Sequence, residues 1–303
     1  MAEAPSRPEK PIRLRLFIGG CSRSGTTFLQ RFLAGHSRVH TFPETGVFLR
    51  ALGMRGRVLP WARIGLTLGK ERKSLQRLLE TVGGGEDVGG RNGPSVPPRR
   101  LFLKDSVRDI VAFLDALAQG KDRDVWVEKT PRHVLHATRI QTLVPSSRFL
   151  HMVRDGRDVV ASIVDRARKF PDRFGRQADP AYGIAQWNRS MRATEAAMRR
   201  PGHHVIHYHA LASRPRESLE ALCASIGIDF EEEMLQEQDG SNFILQDEAW
   251  KKRLTGPIQP SASKFKNLFD ERTRYRINEG LDQGFFREIE MRVQGNAGGI
   301  WSS

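Results

Sequence analysis

The chain has 303 residues, 39% hydrophobic and 28% charged, with a formal net charge of +14. That length is ample for one large α/β domain, and the composition is that of a soluble globular protein, not of a disordered one. The charge predicts an anionic ligand or partner: a nucleotide, an acidic glycan, a membrane surface or nucleic acid.

In chain order, Met1 to Pro11 is polar, proline-containing and mixed in charge, and reads as a disordered tail. It lacks the apolar core of a secretory signal, and no later run approaches the length of a membrane span. Together these predict a cytoplasmic protein with no transmembrane segment. Arg13-Leu14-Arg15-Leu16-Phe17-Ile18 alternates and then turns continuously apolar, the pattern of a first strand entering a buried sheet. Gly19 and Gly20 are expected to break it. Phe28, Leu29, Phe32 and Leu33 then recur at helical spacing. Strand, glycine loop and helix in that order make an anion site: backbone N–H groups point inward and the helix adds its positive end. Gly20 to Gly25 has the G-x-x-x-x-G spacing of a P-loop, yet Thr26 and Thr27 stand where the phosphate-binding Lys would follow. Arg23 lies inside the loop. The missing Lys argues for a nucleotide with a single 5′-side phosphate group and against a triphosphate. Cys21, without a catalytic partner in sequence, reads as a packing residue. It forms no CxxC pair with Cys223, and no disulfide framework is inferred.

His36 to Thr45 reads as a short extended segment ending at Pro43 and Glu44. Val47 to Leu79 is weakly helical, interrupted by Gly53, Gly56, Pro60 and Gly65, and rich in Arg and Lys. Residues 83–100 form a flexible Gly/Pro-rich loop, either an acceptor lid or an insertion. Ser106 to Ala118 is an amphipathic helix with Val107, Ile110, Val111, Leu114 and Leu117 on one face. Asp124 to Thr130 is a short strand ending in a charged turn, and Pro131 opens a helix with His133, His136 and Arg139 on its polar face. Such a strand end faces the ligand crevice of a parallel sheet. Arg148 to Val153 is a second strong strand. It turns at Asp155-Gly156 into a helix beginning near Asp158, with Val159, Val160, Ile163 and Val164 facing the sheet.

Phe170 to Tyr182 reads as a polar connection, and Ile184 to Arg200 as a helix with Trp187 in the core. His203 to His209, taken as a strand, divides its histidines between two faces. No acidic or Cys ligand joins them at metal-binding spacing, so no metal site is expected. Ser218 to Ile226 is a helix ended by Gly227, Thr273 to Ile289 a closing helix, and the chain from Gly295 a frayed tail. With no repeat or linker, the expected organisation is a disordered tail over 1–11, one domain over 12–294 and a frayed tail over 295–303.

Ser22-Arg23-Ser24-Gly25-Thr26-Thr27 resembles the 5′-phosphosulfate loop of sulfotransferases, which use 3′-phosphoadenosine 5′-phosphosulfate (PAPS) as donor. Arg154 and Ser162 match, in type and separation, the Arg and Ser that hold the donor's 3′-phosphate in that family. Glu128-Lys129-Thr130-Pro131 resembles a run in glycan-type and bacterial members, where the Lys matching Lys129 contacts the sulfuryl group and its leaving oxygen. A fixed ammonium there stabilises the charge released on the phosphate. Glu44-Thr45 stands at the place of a Glu that acts as general base in several branches. The alternative for Glu44 is a carboxylate capping the next helix. Tyr208 and Leu211 match a Tyr-Glu-x-Leu strand end whose Tyr contacts the donor, with His209 replacing the Glu. Ser263 to Phe269 resembles the donor-closing segment, which implies Lys264 or Lys266 over the nucleotide. Ile258-Gln259-Pro260 stands where the cytosolic aryl branch carries Arg-Lys-Gly. The resemblance is therefore to the bacterial, glycan- and tyrosylprotein-type branch.

That resemblance spans about Arg13 to Leu281. It implies a P-loop-type three-layer α/β domain with a mainly parallel sheet flanked by helices. It also implies in-line transfer of a sulfuryl group from PAPS to an acceptor hydroxyl, with Arg23 beside the sulfuryl group and no metal. The acceptor stays open among sugar, phenol, peptide tyrosine, lipid and small metabolite, and no nucleic-acid partner is implied. Two other readings remain: a P-loop nucleotide-dependent kinase, and a non-catalytic basic module that binds polyanions.

Overall fold

The computed structural model describes residues 10–53, 60–82, 94–236, 264–294 and 298–302. Most of the expected N-terminal tail and of the 83–100 loop, together with Ser263, lies outside those residues. Six strands form one sheet: β1 (Leu14–Gly20), β2 (Val39–Phe42), β3 (Val125–Lys129), β4 (Ser147–Val153), β5 (His203–His207) and β6 (Ile300–Ser302). Their spatial order is β2-β3-β1-β4-β5-β6, parallel throughout except for β6, which runs antiparallel to β5. The expected mainly parallel α/β fold is the observed one.

The helices are α1 (Thr26–Ala34), α2 (Val47–Leu52), α3 (Pro60–Arg63), α4 (Arg72–Val82), α5 (Leu103–Gln119), α6 (Ala137–Leu143) and α7 (Gly156–Lys169). They continue with α8 (Pro171–Phe174), α9 (Pro180–Ala197), α10 (Tyr208–Ser213), α11 (Pro215–Ile226), α12 (Lys264–Leu268), α13 (Glu271–Gly280) and α14 (Gly284–Gln294). Side chains of a strand alternate between faces, so β1 serves two cores. Leu16 and Ile18 pack with Val127 and Met152 against Leu29 and Leu33 of α1 and Leu219 and Leu222 of α11. Phe17 joins Trp126 and Phe149 on the opposite face, against Val107, Ile110 and Leu114 of α5. A third cluster joins Val153 and Val205 to Val160 of α7, Trp187 of α9, Ile277 of α13 and Phe286 of α14. Trp187 is therefore a core residue and does not reach the nucleotide side of the sheet, the other place open to it from the sequence.

Several boundaries differ from expectation, each for a local reason. Gly19 and Gly20 complete β1 and do not break it, because their backbones pair with His151 and Met152 of β4. α7 starts at Gly156, two residues early, because the Asp155 side chain caps it by accepting the Arg157 N–H at 2.7 Å. The connection after Phe170 is helical, with α8 followed by a 3-10 turn over Gly175–Gln177. Thr273 to Ile289 is not one helix: α13 ends at Gly280, and α14 begins at Gly284. The tail is not frayed at Ile300–Ser302, because β5 offers those residues an edge to pair with. β5 ends at His207, so Tyr208 and His209 open α10 and do not alternate on a strand. His133 and His136 are buried and do not lie on a polar face. Pro131–His136 winds as a 3-10 helix, and its threefold turn stacks both rings on the inner side.

Candidate active site

The chain runs from β1 to β2 and β3 on one side and then crosses to β4 on the other, which opens a crevice at the C-terminal end of β1 between its two neighbours. Register brings the ends level, with Ile18 opposite Lys129 and Gly20 opposite Met152. The glycine loop crosses this crevice. Gly20 has φ +152°, and a Cβ there would overlap the Met152 carbonyl. Gly25 has φ +99° at the N-cap of α1, and its missing Cβ leaves room for the Tyr208 ring. Arg23 also takes a positive φ, 75°, which costs a non-glycine residue about 1–2 kcal/mol. That twist brings Arg23 Nε to donate to Ser162 Oγ of α7 at 3.0 Å.

A cleft of 390 Å³ lies over the loop. Its lining includes Ser22, Arg23, Gly25, Thr26, Thr27, Glu44, Arg154, Ser162 and Tyr208, so most residues singled out from the sequence converge. Arg154 leaves the end of β4 with its guanidinium carbon 4.3 Å from the centre of the Tyr208 ring. Its Nη2 donates to Asp158 Oδ2 at 3.1 Å, and its carbonyl accepts the Trp187 Nε1–H at 3.0 Å. Lys129, 1% exposed at the end of β3, places Nζ 3.1 Å from Glu44 Oε2. It does not pair with its sequence neighbour Glu128, whose side chain points to the other face of the strand.

Three sequence-selected side chains are not among the lining residues: Lys129, which is buried and meets the cleft through Glu44, and two others. Ser24 is buried, with Oγ donating to the Cys21 carbonyl at 2.6 Å; it shapes the loop from behind. Lys264 is outside the lining and gives its Nζ to Asp165 Oδ2 at 2.7 Å, because the half-buried carboxylate of α7 meets it first. Cys21 is also buried, and burial pushes its thiol up to about 12, which removes it as a nucleophile at neutral pH.

The opposite wall consists of residues that sequence reasoning missed: Arg166 on α7, Arg173 and Phe174 on α8, and Gln177, Tyr182 and Gln186 beyond it. Arg166 lies one helical turn past Ser162, and that i+4 spacing was the signal available to find it. Its guanidinium stacks 4.2 Å from the Phe174 ring centre and donates to Gln177 Oε1 at 2.6 Å. Burial, and then the neighbouring Arg23 charge, draw Arg166 down to about 10. Burial followed by Arg154 lowers Arg23 as well. Six arginines line the cleft against one carboxylate, Glu44. Arg166 Nε and Gln186 Oε1 are buried there without a hydrogen-bond partner among the described residues. Crowded guanidiniums with an unspent donor are the chemistry of a polyanion site.

Residues 15–232 match the model of the sulfotransferase family. The chain belongs to that family. It is 26% identical over 234 residues to protein-tyrosine sulfotransferase 2 of Gallus gallus, covering 74% of this chain and 54% of that one. A putative protein-tyrosine sulfotransferase of Caenorhabditis briggsae is 24% identical over 256 residues, covering 83% and 76%. The chain thus spans about half the length of the first of these relatives. Among solved structures it resembles the sulfotransferase domain of the Synechococcus PCC 7002 olefin synthase, with a TM-score of 0.60 and 21% identity over 92% of this chain and 98% of that one. A sulfotransferase of Mycobacterium avium gives a TM-score of 0.51 and 13% identity, over 93% and 77%. Both structures share the fold. Among the described residues no group of three His, Cys, Asp or Glu side chains is placed to hold a metal, and no helix is long and apolar enough to cross a membrane.

Proposed function

We propose that the protein transfers a sulfuryl group from PAPS to an acceptor hydroxyl. The observation that carries this reading is the convergence of Ser22, Arg23, Gly25, Thr26 and Thr27 of the loop with Arg154, Ser162 and Glu44 around one arginine-lined cleft, with buried Lys129 paired to Glu44. The donor set fits PAPS. The loop amides and the N-terminus of α1 suit the 5′-phosphosulfate, and Arg154, Ser162 and Arg166 suit the 3′-phosphate. PAPS supplies the sulfuryl group, its S–O–P bridge breaking as the acceptor oxygen bonds to sulfur. Glu44 takes the acceptor's proton, and Lys129 stabilises the negative charge left on the bridging oxygen. Arg23, anchored on Ser162, keeps a cation beside the loop. The protein-tyrosine names of the relatives support a phenolic hydroxyl as the first acceptor to try.

The test is thermal unfolding with 3′-phosphoadenosine 5′-phosphate, compared with 5′-AMP and with ATP–magnesium. At a hundred times its dissociation constant the first ligand should add about 2.7 kcal/mol of stability. Arg154→Ala should lower its affinity about a hundredfold and cut that gain to about 0.4 kcal/mol at the same concentration. Equal stabilisation by ATP–magnesium would instead favour a kinase.

A further inference from the structure

Two short stretches meet in register at the floor of the cleft. Lys129 Nζ faces Glu44 Oε2 at 3.1 Å. One residue back, Glu128 Oε1 accepts from Thr45 Oγ1 at 2.7 Å and from Thr130 Oγ1 at 2.7 Å. Both hydroxyls also accept: Thr45 Oγ1 from the Val47 N–H at 3.2 Å, and Thr130 Oγ1 from the Gly46 N–H at 3.0 Å. Glu44, Thr45 and Gly46 are therefore each tied to the end of β3. Gly46 takes a left-handed φ of +60° and, as N-cap of α2, has no side chain to cap it. The two threonine hydroxyls satisfy the amides there instead.

The Glu128 carboxylate is fully buried, and its other oxygen lies 2.8 Å from Nδ1 of the equally buried His133. Edges of the Phe17 and Phe48 rings close over His133, with centroids at 6.3 and 5.6 Å. Burial works to raise the Glu128 carboxyl, yet His133, Thr45 and Thr130 outweigh it and hold the group below its ordinary value. An ionised carboxylate has no proton to give. Both threonine hydrogens must therefore point at it, which aims the hydroxyl lone pairs at the amides of Gly46 and Val47. Packing alone would not need a carboxylate here, since apolar residues of the same shape fill a buried site without its desolvation cost.

We propose that Glu128, held by His133, is a positioning residue that sets Glu44 against Lys129 through Thr45 and Thr130. The inference rests on the reading of Glu44 as the group that takes the acceptor proton. Glu128 touches neither donor nor acceptor; it orients the turn that carries the base, so that base and cation converge on one reacting centre.

The test compares Glu128→Ala, Glu128→Gln and Thr45→Val with wild type, each also in a Glu44→Gln background. Crystal structures report the Glu44–Lys129 contact. Thermal shift by 3′-phosphoadenosine 5′-phosphate reports the donor site. Release of that nucleotide from PAPS, with a tyrosine-containing peptide as acceptor, reports turnover. We expect the contact to open in Glu128→Ala and Thr45→Val, and the nucleotide shift to stay at the wild-type size. We also expect kcat to fall about a hundredfold in Glu128→Ala, the scale of a misplaced catalytic group. Glu128→Gln, which keeps an oxygen for both threonines, should recover much of that loss. In the Glu44→Gln background none of the three should lower kcat further. An unchanged contact in Thr45→Val overturns the inference, as does a loss that multiplies with that of Glu44→Gln. Thr45→Val removes a single hydroxyl and keeps the test open if Glu128→Ala does not fold. If the contact opens but wild type transfers nothing to the peptide, the tyrosine acceptor fails and the positioning role stands.

Discussion

The two walls of the cleft are built by different means. One wall is the row of strand ends, with the loop after β1, Arg154 after β4 and Tyr208 after β5, and with Lys129 of β3 buried behind Glu44. Its positions follow from parallel register, and its special backbone, Gly20 and Gly25, is written in glycine. The other wall is helical. Arg166, Phe174, Gln177 and Gln186 reach the cleft only because α7, the 171–177 turns and α9 pack together. The first wall is anchored by the paired strands of the sheet, whereas the second is held by side-chain contacts such as the Arg166–Gln177 bond. The comparison teaches that the sheet edge sets where an anion binds, and the helices set how many cations surround it.

That contrast can be broken in several ways, beginning with the sheet as a whole. His40, His203, His204 and His207 are drawn down to about 4, chiefly by burial, and His151 falls well below its usual value for the same reason. An unfolded chain holds these rings near 6.5, so it takes up protons that the fold refuses. Stability should rise with pH across the interval between about 4 and 6.5 and be progressively lost as pH falls through it. Urea midpoints measured across that interval check the sign. A flat profile would show that the histidines are not held neutral.

The next largest effect belongs to the loop. Gly25→Val places a β-branched residue at φ +99° and drives its side chain into the Tyr208 ring. The expected cost is on the order of 3 kcal/mol, read by denaturant unfolding, with loss of the nucleotide-induced shift. The helical wall should respond least. Arg166→Ala should weaken 3′-phosphoadenosine 5′-phosphate about tenfold by calorimetry, against about a hundredfold for Arg154→Ala, and leave the unliganded melting point near wild type. Equal losses for the two arginines would erase the distinction between the walls.

Much of the sheet wall was legible because each of its parts is local. An apolar run, a glycine spacing and an Arg eight residues before a Ser can all be read along the chain. The helical wall was read as a polar connection over 170–182, because short helices without a sustained apolar stripe leave little periodic signal. The direction of the Ser24 side chain was illegible for a related reason. The motif marks the loop, but the hydrogen bond to the Cys21 carbonyl that turns its hydroxyl away from the cleft is decided by loop geometry.

The sequence by itself determined the order of elements, the phosphate-type loop, the parallel sheet and the identity of the cations at its strand ends. Only the tertiary structure decided their partners. Glu128 and Lys129 are covalent neighbours, yet one is sealed against His133 and the other opens on Glu44, a residue 85 positions away. The physical reason is the pleat of a strand. Adjacent side chains must leave on opposite faces, so the partner of each is supplied by whatever element packs on that face.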